Sequence, residues 1–229
     1  MPFCFDWTLD GQLLIVSGGE GLLLRQNPDG TTEAWADLRM LSSHPWNEIV
    51  VDGRGNAYVN GIGFDFPGGE FAPGQIALVT PDGAIRQVAG DVAFPNGMVV
   101  TPDNATLILA ESYANQLTAF DIAADGSLTN RRVWAALGGA YPDGICLDAE
   151  NAVWYADVPN KRCVRVREGG EVLQTIELDW GAFACMLGGV DGRTLFVTAN
   201  DWGGPEGMGA GATGQVLAAD VAVPRAGWP

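Results

Sequence analysis

The strongest constraint on this chain is an internal repeat. Five segments share the order turn, apolar strand, Asp/Gly turn, apolar strand: FCFDWTLDGQLLIV, WNEIVVDGRGNAYVN, PNGMVVTPDNATLILAE, PDGICLDAENAVWYAD and ACMLGGVDGRTLFVTA. Aligned on the internal turn, they bring Cys4, Asn47, Asn96, Asp143 and Cys185 into register at steps of about 42 to 49 residues. Each copy reads as a hairpin, because short runs rich in Val, Ile, Leu and aromatics flank the Asp-Gly type of turn. Further strands lie between the copies, as in GLLLRQNPDG, QIALVTPDGAIRQVAG and RCVRVREGGEVLQTI. A period in the forties built from strands and turns predicts four-stranded propeller blades, since helical repeats need an amphipathic period of roughly 3.6 residues. TTEAWADLRMLSS is the best helix candidate. The expected fold is all-β, with residues 1–229 as one β-propeller domain of about five four-stranded blades around a central channel.

Charge narrows the partners. Twelve basic residues, of which Lys161 is the one lysine, stand against 28 acidic ones, for a formal charge of −16. Such a surface repels phosphate backbones and anionic membranes and tolerates cations, so neither nucleic acid nor membrane is expected as a partner. The N-terminal MPFCFDWTLDGQLLIVSGG has no basic region ahead of an apolar stretch, and no apolar run nears the roughly 18 residues that span a bilayer. Cys4, Cys146, Cys163 and Cys185 show no CxxC spacing and read as reduced thiols of a cytoplasmic protein. The excess of arginine over lysine fits a GC-rich bacterial coding bias. Oligomeric state is not legible.

The residues in register open the innermost strand of each unit, so they converge on one axis. Asn47, Asn96 and Asp143 are polar there, and polar groups in a narrow channel need each other, water or an ion as partners. One carboxylate with amide oxygens suits a hard or borderline divalent cation. The alternative reading takes Asn96-Gly97 and Asp143-Gly144 as ordinary turn residues. Cys4 and Cys185 share the register and, in a closed ring of five, belong to adjacent blades, which allows a disulfide or a thiolate contribution to the ion. Cys146 points to the opposite face as core. Trp46, Phe64, Phe66, Tyr113, Phe183 and Trp202 fall at strand ends, where a ring can stack on a sugar. There is no GxSxG, and His44 in SSHPWN is the one histidine, read as a loop residue. GGPEGMGAGATG reads as a flexible surface loop.

FPNGMVVTPD, PDGICLDAE, WNEIVVDGRGNAYV, ESYANQLTAFDI and VPNKRCVRV resemble the senescence marker protein / gluconolactonase / luciferin-regenerating-enzyme family. That resemblance implies a six-bladed propeller with one divalent metal at the channel mouth, held by a glutamate, an asparagine and an aspartate. It implies Asn96 and Asp143 as metal ligands, Asp143 also as the catalytic base, and Asn47, Ser112 and Tyr113 as substrate contacts. The implied metal is calcium or zinc, with magnesium or manganese as further options. The family's glutamate stands in an ESPRW-like motif that this sequence lacks, which places that segment about one blade before Met1. Glu48 stands where relatives commonly have Asp, and Gly61 where they often have Asn. The implied function is metal-dependent hydrolysis of small sugar lactones. The alternatives are a cation-binding propeller of weak or no activity and a related hydrolase of aryl or phosphate esters.

Overall fold

The structure is a computed structural model that describes residues 4–204 and 213–227. Its strands form five antiparallel sheets in chain order. Blade 1 holds β1 (Cys4–Trp7), β2 (Leu13–Ser17), β3 (Leu22–Gln26) and β4 (Thr32–Asp37). Blade 2 holds β5 (Trp46–Val51), β6 (Ala57–Gly61), β7 (Gly74–Val79) and β8 (Ile85–Val92), and blade 3 holds β9 (Pro95–Val100), β10 (Thr106–Glu111), β11 (Gln116–Ile122) and β12 (Leu128–Ala136). Blade 4 holds β13 (Pro142–Leu147), β14 (Val153–Asp157), β15 (Arg162–Val166) and β16 (Val172–Glu177), and blade 5 holds β17 (Gly181–Gly188), β18 (Thr194–Asn200) and β19 (Gln215–Asp220). The fold is an all-β propeller of five blades. Four blades are four-stranded as expected, and among the described residues the fifth has three strands. The helix candidate resolves into β4 followed by one 3₁₀ turn at Leu38–Met40, capped by the Asp37 side chain accepting from Arg39 N. Most of the Gly-rich segment GGPEGMGAGATG lies outside the described residues.

Alternation along the inner strands builds the core between blades rather than inside any one of them. Val99 of β9 faces blade 4, packing with Ile145, Val153 and Tyr155, while its neighbours Met98 and Val100 face blade 2 with Tyr58, Ile76 and Leu78. A third cluster joins Leu14, Val16 and Leu23 to Ile49, Val51 and Val59, and a fourth joins Trp154 and Cys163 to Ala182, Leu187 and Val197. Inner strands pack side by side in the series β1, β5, β9, β13, β17. Beyond its ends the outer faces stay wet: Phe5 and Trp7 on blade 1 and Met186 and Phe196 on blade 5 are exposed. Among the described residues no apolar cluster joins blade 1 to blade 5.

The Asp/Gly turns have a physical basis in each hairpin. Asp148 Oδ1 accepts the backbone N–H groups of Glu150 and Ala152 at 2.8 and 3.0 Å, and Asp52 does the same for Arg54 and Asn56 at 2.8 and 2.9 Å. Gly97 and Gly144 do something else. They lie within β9 and β13, and a Cβ at Gly97 comes 2.6 Å from Ile145 N, one at Gly144 2.7 Å from Ala184 Cα. They are not turn residues, and their lack of a side chain lets neighbouring inner strands approach at the channel.

Candidate functional site at the channel mouth

Strand register decides which residues meet. Trp46 pairs with Gly61, Pro95 with Glu111, Pro142 with Asp157 and Gly181 with Asn200. The first turns of β5, β9, β13 and β17 therefore share one end of the channel with the β6–β7 loop and the short turn after β10. Asn47, Asn96 and Asp143 each occupy the second position of their inner strands, as the alignment of copies anticipates. The equivalent position in β17 is Ala182, so Cys185 sits three residues deeper, in the core between blades 4 and 5. All four cysteines are free. Cys185 lies close to Cys146 and Cys163, not to Cys4, which excludes the Cys4–Cys185 pairing.

A continuous hydrogen-bonded chain crosses three blades at this end. Asn47 Nδ2 donates to Asn96 Oδ1 at 2.6 Å and to Pro95 O at 3.2 Å. Asn96 Nδ2 donates to Ser112 Oγ at 2.7 Å, and Ser112 Oγ donates to Pro142 O at 2.6 Å, next to Asp143. Behind them Asn60 donates to Asn96 O at 2.7 Å and accepts from Glu48 N at 3.2 Å. Asn47, with both donor hydrogens committed, keeps Oδ1 as its remaining acceptor. Ser112 is thus a support for Asn96, buried beneath the mouth, and Tyr113 beside it is half-exposed.

The electrostatic partner of Asp143 is Glu48. Both line the channel half-buried. Burial and then the Glu48 charge push the Asp143 carboxyl well above the usual carboxylate range. Burial raises Glu48 too, opposed by a hydrogen bond from the Cys4 thiol. The Cys4 thiol is itself pushed up, by burial first and then by Glu48 and Asp143. Two carboxylates, with the amide oxygens of Asn47 and Asn96 on the same strand starts, are the oxygen-rich groups of this end. Among the described residues no three or more His, Cys, Asp or Glu side chains are gathered closely enough to hold a metal by themselves.

Sequence reasoning set Glu48 aside as a departure from a family pattern, whereas the fold brings its charge within reach of Asp143 and its carboxylate onto the Cys4 thiol. Its signal was present in WNE, one residue beyond the register position. Other buried carboxylates are occupied: Glu111 accepts from Ala93 N at 2.6 Å and from Arg131 at 3.0 and 3.1 Å, and Asp157 accepts from Asn160 and Arg162. His44 lies on the surface with Nδ1 3.3 Å from Asp65. A cavity of about 730 Å³ runs along the exposed face of blade 1 past Phe5, Trp7 and Leu13, away from the mouth.

Residues 3–201 match the SMP-30/Gluconolactonase/LRE-like region. The chain belongs to that family. A 6-deoxy-6-sulfogluconolactonase of Pseudomonas putida is 30% identical over 132 residues, 56% of this chain and 45% of the relative. A luciferin-regenerating enzyme structure superposes with a TM-score of 0.83 at 17% identity, over 97% of this chain and 79% of that one. A calcium-binding regucalcin from Agrobacterium tumefaciens superposes with a TM-score of 0.80 at 20% identity, over 98% and 78%. This SMP-30-family chain spans about half the length of the curated relatives it matches. No helix among the described residues is long and apolar enough to cross a membrane.

Proposed function

We propose that this SMP-30-family chain is a hydrolase of small lactones, with sugar lactones of the gluconolactone type as the substrate class and one divalent cation, calcium or zinc, at the channel mouth. The observation that carries the reading is the hydrogen-bonded chain Asn47–Asn96–Ser112–Pro142 that ends beside Asp143, with Glu48 near enough for its charge to raise the Asp143 carboxyl. Asp143, Asn96 and Glu48 would hold the cation, and Asn47 and Tyr113 would contact the substrate. When bound, a divalent cation polarises a lactone carbonyl and acidifies water next to it. The chain's own contribution is positional. Ser112 fixes the Asn96 amide so that Oδ1 faces Asn47, and Pro142 O, by accepting from Ser112, ties that amide to the strand start that carries Asp143. Asp143 would accept the proton of the attacking water; burial and the Glu48 charge raise its proton affinity in the metal-free mouth, and a cation beside it would lower that affinity again. Four free thiols suit a reducing compartment, and we read the protein as cytoplasmic.

The test is hydrolysis of glucono-δ-lactone followed by proton release, with and without a chelator, in the native protein and in Asp143→Ala, alongside calorimetric titration of calcium and zinc. Turnover lost with chelator and with the substitution is the expected result. A rate indifferent to chelation sinks the metal-dependent reading, and cation binding with no turnover on any lactone leaves a cation-binding propeller.

A further inference from the structure

The amide and hydroxyl donors at the mouth already have acceptors within the protein. Asn47, Asn60 and Ser112 donate to protein acceptors, Asn96 to Ser112, and Asn115 Nδ2 donates to Ala140 O at 2.6 Å. The surface next to them is aromatic carbon. The β6–β7 loop, residues 62–73, brings Phe64, Phe66 and Phe71 against Phe94 and Tyr113. Phe64 is buried as the hub, while Phe71 and Tyr113 are 48% and 45% exposed. Phe94 and Tyr113 stack at 4.5 Å with an interplanar angle of 17°. Phe94 takes φ 55° immediately before Pro95 and Asn96, a conformation that a bulky residue keeps only where its surroundings enforce it. The stack is continuous with the candidate site, since Tyr113 follows Ser112 and Ser112 accepts from Asn96.

We infer that these rings form a shelf for an apolar substituent of the substrate, an alkyl or aryl group carried on the lactone ring, so that this chain prefers such lactones to a bare aldonolactone. Five edge-to-face and stacked rings leave two faces in water, and an alkyl or aryl group laid on them buries apolar area without asking for hydrogen bonds. A polyhydroxylated ring laid on the same carbon surface gives up water without gaining hydrogen-bond partners there. The inference rests on the lactonase reading for the reacting group and adds the substituent.

The test separates binding from turnover. Non-hydrolysable δ-lactams, one bearing a hexyl chain and one polyhydroxylated, are titrated into the native protein and into Phe71→Ala and Tyr113→Ala, whose melting curves report folding. Lactones with the same substituents are assayed for hydrolysis in parallel. The shelf predicts hexyl-lactam binding at least tenfold tighter than the polyhydroxylated lactam, and a loss of about five- to tenfold in either variant, with the polyhydroxylated lactam unmoved in Phe71→Ala. Equal binding of the two lactams, or hexyl-lactam binding indifferent to both substitutions in folded protein, overturns the shelf. Hexyl-lactam binding that follows the prediction with no lactone turned over supports the shelf and sinks the hydrolase reading instead.

Discussion

Replacing Asn96 with alanine tests whether the mouth is held by the amide chain or by strand packing alone. The side chain makes two short bonds, from Asn47 at 2.6 Å and to Ser112 at 2.7 Å, and is almost fully buried. Neither partner is stranded by its loss, because Asn47 Nδ2 keeps Pro95 O and Ser112 Oγ keeps Pro142 O. The cost is therefore that of two bonds without an added orphan, about 2–3 kcal/mol. Ser112→Ala removes two bonds and strands Asn96 Nδ2 in a buried place, about 2–4 kcal/mol. The two substitutions share one bond, so the double variant should fall short of the sum by about 1 kcal/mol. Urea unfolding of the four proteins measures this, and a melting point lowered by roughly 5–10 °C should accompany each single change. Additivity within about 0.3 kcal/mol refutes the claim that Asn96 and Ser112 act as one unit.

Stability should rise on mild acidification. Burial pushes Asp6 up to about 6 although Val51 N and Trp7 N donate to it, so between pH 4 and 6 the folded state binds more protons than the unfolded one, whose carboxyl titrates near 3.8. The ionised group costs about 3 kcal/mol at neutral pH, a cost relieved as pH falls through 6, and Asp6→Asn should flatten that slope in urea melts at pH 5 and 7. A slope unchanged by the substitution counts against it. Gly97→Ala and Gly144→Ala should each cost about 3 kcal/mol, because the added carbon meets backbone atoms of the next inner strand, whereas Gly139→Ala, with nothing within 4 Å, should be close to neutral. Equal thermal melts for Gly97→Ala and Gly139→Ala would remove the close-approach account.

The convergence of Asn47, Asn96 and Asp143 on one end of the channel was legible from the repeat. Asn47, Asn96 and Asp143 came into register because three hairpins carry the same length between strand start and turn, and three structural positions coincide as a result. The same alignment misplaced Cys185, since β17 spans 8 residues where β5, β9 and β13 span 6, so counting back from its turn stops short of the strand start. Ser112 was read as a substrate contact, and its place under Asn96 depends on a bond to a carbonyl 30 residues away. Glu48 was visible as a residue but not as a partner of Asp143, because nothing in one strand's pattern states how far the next strand is rotated around the axis.

By itself the sequence determined the unit and its number. Alternating apolar residues and Asp/Gly turns are local instructions, and five copies of one local instruction stack into blades whatever lies around them. The tertiary structure decided what the blades leave between them. The Glu48–Asp143 charge coupling and the aromatic stack between Phe94 and Tyr113 both join residues tens of positions apart or more, and their energies depend on burial and distance that no local pattern encodes.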